Sequence, residues 1–221
     1  MSIIQSNINQ LKQVIPDSVT LIAVSKTKPN EAILEAYQVG QRDFGENKVQ
    51  ELVEKYDALP KDISWHMIGH LQRNKVKYIA PFVTLIHGGD SYKLLKEINK
   101  QGQKCNRIIP VLLQFHIARE ETKFGFSMDE VTEMLEDDEF PKMEHIAIKG
   151  VMGMATYTDD HSQIADEFRT LNNYFMVLKS HYFKFNPAFD TVSMGMSGDY
   201  EIAIEEGSTM VRVGSAIFGG R

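Results

Sequence analysis

The chain has 221 residues, 43% of them apolar, enough for a packed core in one large α/β domain or two small ones. Its 24 basic and 30 acidic residues leave a net charge of −6, which argues against a broad nucleic-acid footprint. The single cysteine, Cys105, excludes an internal disulfide, no apolar run approaches the roughly 20 residues of a membrane span, and residues 1–15 lack a signal-peptide core, so a cytoplasmic location with no membrane partner is expected.

Ile4, Ile8, Leu11 and Ile15, spaced by three and four, mark a helix ahead of the first strand. From there, strand-like apolar runs alternate with amphipathic stretches to the C-terminus. Strands are expected at residues 21–25, 42–45, 64–68, 83–87, 108–115, 146–152, 189–194 and 210–213. The helices between them carry readable stops: residues 30–39 close at Gly40, 91–101 at Gly102 and 201–206 at Gly207. Ser127 and Glu130 form a capping box for a helix through Val131, Met134 and Leu135. The longest helix, residues 161–182, buries a stripe of Ile164, Phe168, Leu171, Phe175, Leu178 and Tyr182. Eight β/α units in a chain this short predict a (β/α)8 TIM-type barrel with an extra N-terminal helix, with an open doubly wound sheet as the alternative. No linker rich in Gly, Ser or Pro divides the chain, so residues 1–221 are expected to form one domain.

In a barrel, function belongs at the carboxyl ends of the strands. Lys26 stands at the exit of the first strand, where partial desolvation would make its amine a usable nucleophile; the plainer alternative is a lysine that snorkels into solvent. Strand seven runs into Met194-Gly195-Met196-Ser197-Gly198-Asp199 and strand eight into Gly214-Ser215, so glycines and hydroxyls meet helix starts where barrels often hold phosphate. Arg212 lies on the inward face of strand eight with Met210 and Gly214, and there it needs an acceptor, either a structural acidic partner or a ligand. Strands one and eight are neighbours in a closed barrel. A strand-end lysine, a two-loop phosphate site and an inward arginine then describe a site for pyridoxal 5′-phosphate, with Lys26 forming the Schiff base and Arg212 facing the pyridine nitrogen.

Six segments carry a resemblance. They are Ala23-Val24-Ser25-Lys26-Thr27-Lys28-Pro29, Phe44-Gly45-Glu46-Asn47, Trp65-His66-Met67-Ile68-Gly69, Leu71-Gln72-Arg73-Asn74-Lys75, Ser193-Met194-Gly195-Met196-Ser197 and Gly207-Ser208-Thr209-Met210-Val211-Arg212-Val213-Gly214. In this order they resemble the YggS/PROSC family of pyridoxal phosphate homeostasis proteins, which are similar to the N-terminal barrel of bacterial alanine racemases. The resemblance implies that Lys26 is the Schiff-base lysine, that Arg212 faces the ring nitrogen, that Ser197, Gly214 and Ser215 hold the phosphate, and that Asn47 and Met194 line the cofactor cleft. The family more often reads Gly-Pro-Leu-Gln-Ser-Asn-Lys where this chain has Gly69-His70-Leu71-Gln72-Arg73-Asn74-Lys75, and asparagine follows its strand five where this chain has Gln114-Phe115-His116. Those departures mark the cleft rim near His70, Arg73 and His116. His87 and His116 are expected as rim or packing histidines at strand ends and His66 as core, and no metal-ligand spacing is present.

An arginine keeps its proton, so it would donate to the pyridine nitrogen and leave that nitrogen unprotonated. Such a ring is a weak electron sink, and racemases with this arrangement add a second base from another domain, whereas here only residues 216–221 follow the last strand's loop. The implied function is a carrier that stores, buffers or delivers pyridoxal 5′-phosphate to apo-enzymes and maintains vitamin B6 and amino-acid balance, with no catalytic residue of its own, as a monomer or weak homodimer. A pyridoxal-dependent amino-acid racemase is the competing function, and a barrel that binds another phosphorylated metabolite is the third.

Overall fold

The computed structural model describes residues 2–120 and 124–220. Eight parallel strands, β1 (Thr20–Val24), β2 (Asp43–Glu46), β3 (Ser64–Met67), β4 (Leu85–Gly89), β5 (Ile109–Gln114), β6 (Ile146–Met152), β7 (Thr191–Ser193) and β8 (Met210–Val213), pair in chain order and close into a barrel. Closure is made by β8 on β1, with Ile22 opposite Arg212 and Ala23 opposite Val213. This pairing excludes the open sheet.

The helices are α1 (Ile3–Val14), α2 (Asn30–Gln38), α3 (Val49–Ala58), α4 (Val76–Ile79), α5 (Tyr92–Lys104), α6 (Met128–Glu136), α7 (His161–His181), α8 (Tyr200–Glu205) and α9 (Ser215–Phe218). Helix α1 is the expected extra element. A Ser2–Gln5 capping box starts it, Ile8 and Leu11 bury its inner face, and the Asn7 amide donates to the Ile217 carbonyl of α9 at 2.9 Å. The Asp160 carboxylate accepts from the Ser162 and Gln163 amides and so starts α7, whose buried stripe holds Ile164, Phe168, Leu171, Phe175 and Leu178. Tyr182 falls just past the end of α7 and is partly exposed, with its hydroxyl on Glu136.

Strand alternation divides the apolar residues into two layers. Ile22, Leu85, Leu112, Met152 and Met210 fill the barrel interior, while Ala23, Phe44, Trp65, Ile86, Val111, Val151, Val192 and Val211 face the helices in the larger outer core. The inner cluster is small because polar side chains, His66, His87, Ser193 and Arg212 among them, occupy much of the barrel's interior.

Glycine punctuation is ambiguous in one place. Gly40 and Gly207 adopt φ of 83° and 97° and end their helices as expected, but α5 runs through Gly102 to Lys104. A Cβ on Gly102 would lie 2.6 Å from the His145 carbonyl, so this glycine serves close packing and the helix stops at Cys105. Likewise β4 lies two residues later than expected because Gly88 and Gly89 belong to the strand, where a Cβ on Gly89 would meet the Leu112 carbonyl at 2.6 Å. Strand β7 is shorter than expected, since Phe189 leaves the strand to stack on Phe175 and Phe183.

Gly150 is the tightest of these contacts. Its φ is 152°, and a Cβ there would come within 1.8 Å of the Thr191 carbonyl across the β6–β7 pair. Gly150→Ala is expected to destabilise the barrel by about 2–4 kcal/mol, through backbone strain and overpacking together, as measured by urea denaturation. A change within experimental error would contradict this account of barrel closure.

Candidate functional site

The site begins with the chain leaving β1. Ser25 is fully buried and held twice: its hydroxyl donates to Glu46 Oε1 at 2.6 Å and its carbonyl accepts from Lys55 Nζ at 2.8 Å. Lys55 is itself buried, with Nζ 2.7 Å from both Glu46 Oε1 and Glu51 Oε1. Burial pushes the Glu46 carboxyl above its ordinary value, opposed by the bonds from Lys55 and Ser25. Two residues on, Thr27 has φ of 64°, a left-handed conformation that a β-branched residue takes only when held there, and its amide donates to Glu51. Lys26 is thus carried between two clamped neighbours.

Lys26 itself is half-buried, and among the described residues its side chain makes no hydrogen bond or ion pair. Lys28 differs, because its Nζ donates to the carbonyls of Phe218, Gly219 and Gly220 at 3.1–3.2 Å. Of the two lysines that directly follow β1, Lys28 is committed to the protein and Lys26 is not.

The loops after β7 and β8 converge on the same place. Gly195 turns the chain out of β7 with φ of 95°, and Ser197 Oγ then accepts from the amides of Gly214 at 3.0 Å and Ala216 at 3.4 Å. Gly214 packs on the end of β1, where a Cβ would stand 3.3 Å from Val24 Cβ. Ser215 is exposed beside it at the start of α9. Asn47 follows β2, half-buried, with its carbonyl 2.6 Å from where a Cβ of Gly69 would lie. Met194 is placed differently from the expectation: its side chain is fully buried in the outer core, because its neighbour Ser193 takes the inward position. Only its backbone remains to border the cleft.

Arg212 does point into the barrel. Its guanidinium is buried, with Nη1 donating to Ser193 Oγ at 2.6 Å and Nη2 to the Gly153 carbonyl at 3.1 Å. Both acceptors are neutral. Burial accordingly pushes its pKa down to about 10, partly offset by the charge of Asp199. The acidic hydrogen-bonding partner on a neighbouring strand that would have made this a structural ion pair is not what holds it.

Ser193 also touches His87 Nδ1 at 3.0 Å; His87 Nε2 is 3.0 Å from His66 Nδ1, and His66 Nε2 is 3.1 Å from Asp43 Oδ1. His87, expected as a rim or packing histidine, sits at 0% exposure inside the barrel and so is the packing one. Its pKa lies well below the ordinary imidazole value, because burial, then His66, then Arg212 disfavour a second proton. His116 bonds the Glu120 carbonyl at 2.8 Å. His70 pairs with Asp90 at 2.8 Å and stacks on Phe124, and with Arg73 it lines a cavity of about 570 Å3 that also takes in Asp90, Ser91 and Lys93. Sequence patterns did not single out Ser193, Glu46, Glu51 or Lys55, whose roles depend on pairings between distant strands and helices.

Comparison with known proteins identifies the family. The alanine racemase N-terminal domain model matches residues 1–221. A pyridoxal phosphate homeostasis protein of Vibrio alginolyticus is 39% identical over 236 residues, covering 100% of this chain and 99% of that protein. The chain belongs to the pyridoxal phosphate homeostasis protein family. Another member of this family, from Aquifex aeolicus, is 41% identical over 202 residues, covering 91% of this chain and 86% of its own. PipY of Synechococcus elongatus, solved without and with PLP bound, superposes with TM-scores of 0.91 and 0.86 at 32% identity, covering 98% of this chain and all of that one. No helix among the described residues is long and apolar enough to cross a membrane.

The buried histidine makes a pH prediction. His87 in the fold binds its proton below the ordinary value of 6.5, so between the two values the unfolded chain binds more protons and stability is lost as pH falls below about 6.5. His87→Gln is expected to flatten that loss by on the order of 1 kcal/mol per pH unit, measured as urea midpoints between pH 7 and pH 5. Parallel pH profiles for the two proteins would contradict it.

Proposed function

We propose that the protein binds pyridoxal 5′-phosphate covalently through Lys26 and stores, buffers or delivers it, maintaining vitamin B6 and amino-acid balance. The observation that supports this is the pairing of β1 with β8, which sets the strand that runs into the uncommitted Lys26 beside the strand that carries the buried Arg212 and its neutral partners, with the Ser197–Gly214 contact at the exit of the same two strands. The donor set fits the cofactor. Ser197 Oγ already accepts the Gly214 and Ala216 amides as a phosphate oxygen would, and the missing Cβ of Gly214 keeps that backbone open beside Val24.

When bound, the cofactor supplies an aldehyde for reversible capture by an amine and an electron-poor ring. Lys26 Nζ provides the amine and is held at the site by the clamps on Ser25 and Thr27. Ser197 and Ser215 would hold the phosphate through their hydroxyls, with the side-chain-free Gly214 backbone beside them. Arg212 donates to the ring nitrogen and, because it keeps its proton, leaves that nitrogen unprotonated. Asn47 and the Met194 backbone border the cleft. By leaving the ring nitrogen unprotonated, Arg212 would disfavour strong carbanion chemistry such as transamination. The residues 1–221 act in this proposal as one unit, cytoplasmic, with apo-enzymes that require the cofactor as its recipients.

Borohydride reduction of the pyridoxal 5′-phosphate-loaded protein, followed by peptide mapping, is expected to put the added mass on Lys26; label on Lys28 or Lys75 instead overturns the site. The same preparation in deuterated buffer with L- or D-alanine is expected to leave the amino acid's Cα–H unexchanged, and rapid exchange would favour the racemase.

A further inference from the structure

Arg212 is the end of a continuous chain of hydrogen bonds through the barrel interior: Arg212, Ser193, His87, His66 and Asp43, from β8, β7, β4, β3 and β2, with contacts of 2.6, 3.0, 3.0 and 3.1 Å. Ser193, His87, His66 and Arg212 are buried, while the Asp43 side chain at the start of β2 is 35% exposed. The site lies at one end of this chain and solvent at the other.

Its direction is fixed from both ends. Arginine only donates, so Ser193 Oγ accepts from it, and among the described residues the acceptor the buried hydroxyl then has for its own proton is His87 Nδ1. A carboxylate only accepts, so His66 Nε2 carries a proton toward Asp43, which leaves Nδ1 of a neutral His66 to accept from His87 Nε2. The two deductions meet at His87 and agree: Nε2 protonated, Nδ1 bare. A second proton on either imidazole would set two N–H groups against each other or leave Ser193 with two donors and no acceptor, and the depressed pKa of His87 has the same sense. The two rings meet edge to face at 69°, which lets a ring nitrogen of one point at a ring nitrogen of the other.

We propose that Ser193, His87, His66 and Asp43 are positioning residues for Arg212, a one-way chain of hydrogen bonds that sets the orientation of the guanidinium and the N–H it presents to an aromatic nitrogen heterocycle. The proposal rests on Arg212 as the ring-nitrogen donor described above. With neutral acceptors alone, a guanidinium can rotate among several donor arrangements. The chain restricts that freedom, because Ser193, once its proton is committed to His87, can only accept from Arg212 and its oxygen is held in a fixed orientation by that commitment. Cooperative polarisation along the chain also makes Ser193 Oγ a better acceptor than an isolated hydroxyl.

Side-chain 15N NMR of the ligand-free protein tests the chain directly. Both His66 and His87 are expected neutral with the proton on Nε2; a proton on Nδ1 of His87, or a doubly protonated ring, overturns the proposal. The positioning role is tested with pyridoxal 5′-phosphate itself as probe. Ser193→Ala is expected to weaken its binding about tenfold and to shift the absorbance maximum of the bound ligand, while Ser193→Thr restores both. Wild-type affinity and spectrum in Ser193→Ala overturn the positioning role. If the unmodified protein takes up no pyridoxal 5′-phosphate, the proposed function fails instead, and the ligand-free NMR measurement alone decides the chain.

Discussion

The buried guanidinium of Arg212 is the constraint around which the barrel interior is arranged. Closing β8 on β1 places this side chain inside, opposite Ile22, and a charge there is tolerated only if its donors are met. The protein meets two of them with a hydroxyl and a carbonyl where a carboxylate could have stood. Neutral acceptors leave the positive charge uncancelled at close range, which is costly for stability and useful for a ligand that brings its own acceptor atom. The interior is correspondingly polar, with two histidines and a serine where barrels usually stack branched apolar residues. Stability is then supplied mainly by the larger outer core between strands and helices.

The basic side chains near the exit of β1 divide their tasks by what they touch. Lys55 is spent on Glu46, Glu51 and the Ser25 carbonyl, and Lys28 on the last carbonyls of the chain's C-terminal turn. Both fix backbone. Breaking a buried pair such as Lys55 with Glu46 leaves an uncompensated charge, so the clamp is rigid. Lys26, flanked by these commitments, combines a fixed backbone with a free amine. That pairing suits reversible capture of an aldehyde, where the nucleophile must be held close without being masked.

Much of this was legible in the sequence, for physical reasons that also explain the gaps. Alternating and helical periodicities register burial, so all eight strands and the N-terminal helix could be placed, and the inward face of Arg212 followed from the two-residue period. Glycine carries less information, because the same residue serves as a helix stop at Gly40 and as a close-approach point at Gly102. Met194 misleads because its face depends on where a three-residue strand begins, and a shift of one residue reverses every side chain. The histidine chain was invisible in principle: His66, His87 and Ser193 lie on three strands, and their partners exist only once the barrel closes.

The proposed role of Arg212 is to donate to the ring nitrogen of the bound cofactor. It is tested most directly by 15N NMR of the protein loaded with pyridoxal 5′-phosphate labelled at that nitrogen. The expected chemical shift is that of an unprotonated, hydrogen-bonded pyridine at neutral pH, moving toward the protonated value only when Arg212 is replaced by an apolar residue. A protonated pyridinium in the unmodified protein at neutral pH would contradict it.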